Sequence, residues 1–154
     1  MPFLGRGYYL WDSNLEEARR WGMGRYGNSY IILEYELDCP GSVFLDLVGN
    51  RLDMKWFIDQ MKLLVGGGVN RKENWNIAQF IEFLKRLSVH KPEVFPYKII
   101  RAIDLYTKQS EQFRYFFVES RQSYTYLDPK IVVCLVEKNR LYLKYRRIVE
   151  QSED

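Results

Sequence analysis

The run "KIVVCLVEK", Lys130 to Lys138, constrains the fold more than any other stretch because its interior is almost continuously apolar. A strand with one wet face alternates apolar and polar side chains, whereas a continuous apolar run is typical of a strand buried on both faces. The run therefore predicts a central strand of a sheet. The next segment, "NRLYLKYRRI", is predicted to pair with it, with Lys138 and Asn139 as the tight turn.

Other segments also have the pattern of strands. In "SYIILEYELDC" the alternate positions Ile31, Leu33, Tyr35 and Leu37 fall on one face, which predicts a strand. A turn at Pro40 and Gly41 separates it from a second short strand, "SVFLDL". Two further candidates are "YKIIRAIDLY" (Tyr97 to Tyr106) and "RYFFVES" (Arg114 to Ser120).

Two helical patterns lie between these strands. The first runs from Arg51 to Val65, and "GGGVN" ends it. The second follows Asn74 and carries apolar residues at helical spacing, namely Ile77, Phe80, Ile81, Leu84 and Leu87. We expect this pair of helices to cover one face of a sheet.

The order of these patterns is strand, helix, strands, two helices, strands. It predicts an α+β fold with mixed, mostly antiparallel sheets, a short N-terminal helix and a two-helix insert. A chain of 154 residues is most simply one domain, so we assign residues 1–154 to a single unit.

Charge and metal-ligand residues exclude several function classes. With 23 basic and 20 acidic residues the chain is too balanced to require nucleic acid as a partner. The basic segment near the C-terminus is interpreted as a strand with a solvated face. One histidine excludes a two-histidine metal site within one chain, and Cys39 and Cys134 have no metal or redox spacing, so no metal is predicted.

Targeting signals are not apparent in the sequence. No stretch approaches the roughly 20 apolar residues that a membrane span needs. The N-terminus has no apolar run behind a basic start, as a signal peptide would have. We therefore expect a cytoplasmic protein without a membrane partner.

The stretch "FLGRGYYLWDSNLEEARRWG", Phe3 to Gly22, is the most informative for function. It predicts a strand from Gly7 to Trp11 and then a helix whose start is marked by a capping box of Ser13 and Glu16. Later glycines are expected to stop this helix. The Gly-Arg-Gly loop itself matches neither a dinucleotide fingerprint nor a Walker loop.

As a unit, this stretch resembles the second motif of the ADP-ribosyltransferase superfamily, in its diphtheria-toxin and poly(ADP-ribose) polymerase branch. There a Gly-Lys-Gly-Ile-Tyr-Phe strand runs into a short helix, and two aromatic rings enclose the nicotinamide of NAD. The resemblance implies that Tyr9 is one wall of that slot. Trp21 is the candidate for the second wall, since the family position falls near Arg20.

A second fragment, "SYTYLDPKIVVCLV", resembles the late strand of the same branch, where a glutamate precedes an Asp-Pro turn. Matching on Asp128 and Pro129 puts Ser123 at the glutamate position, so Glu119 becomes the candidate carboxylate. The resemblance implies that this group stabilises an oxocarbenium-like transition state. It also implies that backbone groups around Gly7 and Tyr8 bind the nicotinamide amide.

By the same resemblance, Arg6 would lie near the NAD phosphates. The family also carries a strand with His or Arg before the glycine motif. The four residues that precede Gly5 in this sequence contain no equivalent of that strand. NAD is thus the expected substrate, and the acceptor of ADP-ribose stays open.

Two other functions are left open by the residues. The aromatic side chains, among them Tyr8, Trp11 and Trp56, also fit a non-enzymatic module that binds another protein, such as one partner of a toxin–antitoxin or defence pair. A nucleic-acid enzyme using the basic C-terminal strand ranks last, because the chain lacks a metal site and a histidine base. The sequence leaves the oligomeric state undetermined.

Overall fold

The structure, a computed structural model, describes residues 2–66, 75–104, 114–116, 124–126, 129–136 and 140–151. Its elements confirm the α+β class. In chain order they are β1 (Tyr8–Trp11), α1 (Leu15–Tyr26), β2 (Ile31–Leu37), β3 (Phe44–Asp46), α2 (Arg51–Gly66), α3 (Ile77–Ser88), β4 (Ile99–Ile103), β5 (Arg114–Phe116), β6 (Tyr124–Tyr126), β7 (Ile131–Leu135) and β8 (Leu143–Gln151).

The central sheet has the strand order β1-β7-β4-β3. Strand β7 is antiparallel to both of its neighbours, and β3 runs parallel to β4. The register places Leu10 opposite Val133, and Val133 opposite Arg101. The prediction of a central strand from its apolar run is confirmed.

The prediction that "NRLYLKYRRI" pairs with this strand is wrong. Strand β8 pairs with β2 in a separate antiparallel ribbon, called the β2–β8 ribbon below. Both sides of β7 are already occupied, by β1 and β4. The ribbon also gives the β8 cations exposed partners, since Lys144 pairs with Asp38 and Arg147 with Glu34. The predicted turn at Lys138 and Asn139 lies outside the described residues.

Helices α2 and α3 cover one face of the central sheet, as predicted. The buried cluster on this face joins side chains of both helices to β3, β4 and β7, and it contains Phe57, Phe80, Ile81, Leu84, Leu45, Ile100, Val132 and Cys134 among others. The apolar stripe of α3 is longer than this contact, so Ile77 and Leu87 at its two ends are exposed.

The opposite face of the sheet is covered by one end of the ribbon. Ile99, Val133 and Leu135 form a second buried cluster, against which Leu37 of β2 and Leu143 of β8 pack. Alternate residues of β7 therefore enter two different clusters. This is why the strand is apolar at consecutive positions.

The N-cap of helix α1 lies one residue later than predicted. Asn14, not Ser13, is the N-cap, and its side-chain oxygen accepts from the backbone N–H of Glu17 at 3.0 Å. Ser13 cannot act as this cap because it forms the preceding turn with φ of 53°. The helix continues through Gly22 and ends at Gly27, which has φ of 65°.

Candidate functional site

Tyr9 holds the loop that precedes β1. Its hydroxyl donates to the Gly5 carbonyl at 2.8 Å and accepts from the backbone N–H of Leu4 at 2.8 Å. The ring packs against the cluster beneath α2 and α3. Burial, with a smaller contribution from Cys134, raises the pKa of the Tyr9 phenol. The hydroxyl is thus a neutral group that fixes the loop.

The glycines of this loop allow its backbone to lie close to the neighbouring strand β7. Gly5 has φ of 85°, in the left-handed region. A Cβ on Gly7 would lie 2.5 Å from both the Cys134 Sγ and the Leu135 carbonyl oxygen, so only glycine fits against β7. The backbone N–H of Arg6 donates to Glu82 of α3 at 3.0 Å, and the Arg6 side chain is exposed. The loop is therefore held from both sides.

The exposed aromatic residue of β1 is Tyr8. Its side chain is 38% exposed, and the Arg140 guanidinium lies over the ring, 5.6 Å from its centroid. Trp21 on α1 is 54% exposed and makes an edge contact with Tyr26 at 5.6 Å between centroids.

Of the predicted site residues, the structure brings Arg6, Gly7, Tyr8 and Tyr9 together in the loop and strand. Trp21 lies apart, on α1. Tyr9 and Trp21 both belong to the described part of the chain, and no ring contact joins them. Their enclosure of a nicotinamide ring stays a prediction. Glu119, the predicted carboxylate, lies outside the described residues.

The outer edge of β1 carries unpaired backbone groups within the part of the chain that the structure describes. The Asp12 N–H donates to the Ile131 carbonyl of β7 at 3.0 Å. Because hydrogen bonding alternates along an antiparallel pair, the backbone groups of Tyr8 and Leu10 also face β7, and those of Tyr9 and Trp11 face outward. Within the described residues, no strand pairs with this outer side.

The other edge of the central sheet, on β3, has a side-chain partner for an outward backbone N–H. On β3 the outward backbone N–H of Asp46 donates to the Asp53 carboxylate of α2 at 2.8 Å. Capping by an acidic side chain is one way in which proteins protect an exposed edge. Strand β1 has no such cap among the described residues, so its unpaired backbone groups are a feature specific to this edge.

An ionic row crosses the sheet at the carboxyl end of β1. Arg101 of β4 donates from Nε to Asp12 at 2.6 Å and contacts Asp46 of β3 through Nη1 at 3.3 Å. Asp46 also accepts from the backbone N–H groups of Val48 and Gly49 at 2.9 and 3.0 Å. This ionic row was not predicted from the sequence, although an isolated arginine within the apolar strand "IIRAI" was its signal.

Helix α1 is tied to the sheet by a buried carboxylate. Glu17 is 5% exposed, and it pairs with Lys130, next to β7, at 2.9 Å and with Arg20 at 2.5 Å. Asp104, at the end of β4, is half-buried nearby. Burial raises the pKa of its carboxyl, Lys130 opposes this, and Glu17 adds to it. The end of the sheet next to α1 is therefore strongly charged.

Comparison with protein-family models, with curated proteins and with solved structures finds no match for this chain. The function of this chain is therefore inferred from its own residues. Among the described residues, no three His, Cys, Asp or Glu side chains are grouped to hold a metal ion. None of the described helices has the length and apolar content that crossing a membrane requires.

Proposed function

We propose that this chain is an ADP-ribosyltransferase-like domain that binds NAD at the outer edge of β1. The outward N–H and C=O of Tyr9 carry this proposal, in place of the Tyr8 backbone groups that the resemblance implies, because those of Tyr8 face β7. A primary carboxamide such as that of nicotinamide has an N–H donor beside a carbonyl acceptor, and it can pair with the N–H and C=O of one residue in an extended strand. The loop before β1 is already fixed, so binding would order little additional chain.

The surroundings of this edge suit the rest of a dinucleotide. Tyr8 provides exposed aromatic surface for a flat ring in β1 itself, and Trp21, exposed on α1, keeps its predicted role as the second wall. The exposed guanidinium of Arg6 fits the pyrophosphate, since arginine pairs well with phosphate oxygens. The roles of Arg6 and Trp21 follow the resemblance to the family. Tyr8 takes the place of Tyr9, the wall that the resemblance implies, because the Tyr9 ring packs against the cluster beneath α2 and α3 and the Tyr8 ring is exposed.

The reaction would break the bond between the nicotinamide nitrogen and the ribose carbon. Nicotinamide leaves with the bonding electron pair, and an acceptor nucleophile then bonds to the same carbon and loses its proton. A carboxylate near the ribose would stabilise the positive charge of the transition state. Glu119 keeps this predicted role, and a protein side chain is the proposed acceptor.

Calorimetry with NAD and with nicotinamide alone tests the proposal. We expect both to bind, and Tyr8→Ala to weaken NAD binding about tenfold through lost stacking. Tyr145→Ala, which removes a 77% exposed tyrosine from β8, is the matched control and should bind as the unmodified chain does. If the folded chain binds neither ligand, the proposal is wrong.

A second candidate function is a non-enzymatic module that binds another protein. Exposed apolar side chains on α1 favour it, because Trp21, Met23 and Tyr26 are each more than half exposed. A chain that binds no nicotinamide but forms a specific complex, which Trp21→Ala weakens and Leu52→Ala does not, would support this candidate over the first.

A further inference from the structure

We infer that the exposed ring of Tyr8 is a site for a planar organic cation, and that the Arg140 guanidinium occupies this site in the free chain. The Arg140 Cζ lies 5.6 Å from the centroid of the Tyr8 ring, within the roughly 6 Å over which a cation–π contact acts. The identity of the ligand rests on the proposed function. For NAD, the cation is the pyridinium ring of the oxidised nicotinamide, which has to take the place of the guanidinium.

The fold brings the two residues together at the base of the β2–β8 ribbon. Tyr8 lies opposite Leu135 of β7, so both side chains are on the same face of the central sheet. Leu135 belongs to the cluster that Leu143 of β8 covers. Arg140 lies in the turn before β8, and its carbonyl accepts from the Leu143 N–H at 3.0 Å. This turn fixes the backbone of Arg140, so only its side chain has to move when another cation takes the ring.

Arg140 is held less firmly than the paired cations of β8. Arg147, for example, pairs with the carboxylate of Glu34. Within the described residues Arg140 makes no ion pair, and the Tyr8 ring is the partner of its guanidinium. A cation–π contact at an exposed site changes an equilibrium constant by about two- to fivefold. A ligand cation can therefore displace Arg140 at a small cost in affinity.

The chemistry of the resident group indicates the class of ligand. A guanidinium is planar, delocalised and cationic, and it stacks on aromatic faces. The pyridinium ring of oxidised NAD is also planar, delocalised and cationic, so the face of Tyr8 attracts it in the same way. Free nicotinamide has the same ring without the charge, and the reduced form of NAD carries a neutral ring. The site therefore selects the oxidised form, and Arg140 competes with it for the same face.

The attraction to Tyr8 changes during the proposed reaction. When the bond between the nicotinamide nitrogen and the ribose carbon breaks, its electron pair stays on the nitrogen and the ring becomes neutral. The cation–π attraction is lost in that step, and the Arg140 guanidinium can return to the ring. The contact therefore acts on substrate binding and nicotinamide release rather than on the transition state.

Calorimetry of the full chain with 1-methylnicotinamide and with nicotinamide tests the site, because the two probes differ by one methyl group and one charge. We expect the cation to bind more tightly. Arg140→Ala frees the ring and should strengthen binding of both probes about two- to fivefold. Arg146→Ala is the matched control, since it removes the same charge from an exposed position on β8 without an aromatic contact in the described part of the chain. It should leave both affinities unchanged.

Two variants of Tyr8 separate a role of the ring from a purely structural one. Tyr8→Phe keeps the aromatic face and should keep the preference for 1-methylnicotinamide over nicotinamide. Tyr8→Leu keeps an apolar side chain without that face, so it should lose the preference. In the Tyr8→Leu background, Arg140→Ala should have no further effect on either affinity. Circular dichroism checks that each variant is folded.

The outcomes distinguish this inference from the proposed function. If the chain binds NAD but Arg140→Ala changes no affinity, or if Tyr8→Leu keeps the preference for the cation, the inference is wrong and the proposed function stands. If 1-methylnicotinamide binds as expected and NAD does not, the cation site stands without the proposed function. If neither the unmodified chain nor Arg140→Ala binds any of the three ligands, both are wrong.

Discussion

Arg101 donates from Nε to the Asp12 carboxylate at 2.6 Å, and this contact passes over the central strand β7. The two residues are 89 positions apart in the chain. Because the same guanidinium also contacts Asp46 of β3 at 3.3 Å, one side chain connects both outer strands of the sheet. The contact fixes the end of β1 from which α1 begins, and so the position of the candidate site.

Removing the Arg101 guanidinium should destabilise the fold. Arg101→Met leaves Asp12 and Asp46 half-buried without this donor, and hydrogen bonds to charged groups contribute about 1.5–3 kcal/mol each. We expect a loss in that range in the free energy of unfolding, measured with urea. Arg147→Met removes the 72% exposed partner of Glu34 and should cost less than about 1 kcal/mol. Equal losses in the two variants would show that the ionic row across the sheet contributes no more to stability than an exposed ion pair.

The carboxylate of Glu17 should contribute more to the free energy of unfolding than that of Glu16, its neighbour in the sequence. Glu17→Ala removes the acceptor that Lys130 and Arg20 share in a buried setting, and breaking a buried ion pair costs about 3–5 kcal/mol. Glu16→Ala is the control, since Glu16 is 74% exposed and its loss should cost under about 1 kcal/mol. Urea unfolding of both variants measures the difference. A Glu17→Ala chain as stable as Glu16→Ala would contradict the buried pairing.

The spacing of apolar residues along the chain predicted those strands and helices whose buried faces are determined by their own sequence. The consecutive apolar residues of β7 indicated a strand covered on both faces, and the stripe containing Phe80, Ile81 and Leu84 indicated a helix packed on the sheet. Both predictions are confirmed, because the spacing of apolar side chains determines which faces can be buried. Strand β2 was predicted for the same reason.

Long-range pairing could not be predicted in this way. Strand β8 follows β7 in the chain, so a hairpin was expected, yet β8 pairs with β2, more than a hundred residues away. The choice depends on the neighbours of β7, since both of its sides are occupied by β1 and β4, which are distant in the chain. The contact between Arg101 and Asp12 was missed for the same reason. The cap of α1 was misplaced by one residue because Ser13 adopts positive φ, which residue type alone does not reveal.

Two glycines near the N-terminus should respond in opposite ways to alanine. Gly7→Ala places a Cβ 2.5 Å from the Leu135 carbonyl oxygen and Cys134 Sγ, so β1 must shift, at a cost of about 1–3 kcal/mol. Gly24→Ala adds a Cβ in α1 with nothing within 4 Å and should stabilise the chain by about 0.5–1 kcal/mol. The free energies of unfolding in urea measure both. A stabilised Gly7→Ala chain would mean that β1 does not approach β7 this closely.

The carboxyl of Asp104 should make stability depend on pH. Burial is the largest cause that raises its pKa, with Glu17 adding and Lys130 opposing. A carboxyl whose pKa is higher in the folded than in the unfolded state destabilises the fold when it is ionised, which is the case above its folded pKa. This cost disappears as the pH falls below the unfolded pKa of about 3.9, because the group is then protonated in both states. Thermal unfolding between neutral and acidic pH measures it.

Asp104→Asn removes the charge and keeps the shape, so we expect a higher melting temperature than the unmodified chain at neutral pH. The difference should shrink as the pH falls towards the unfolded pKa. Asp59→Asn, at an exposed site on α2, is the control and should change the melting temperature little at any pH. A lower melting temperature for Asp104→Asn at neutral pH would mean that attraction to Lys130 outweighs the cost of burial.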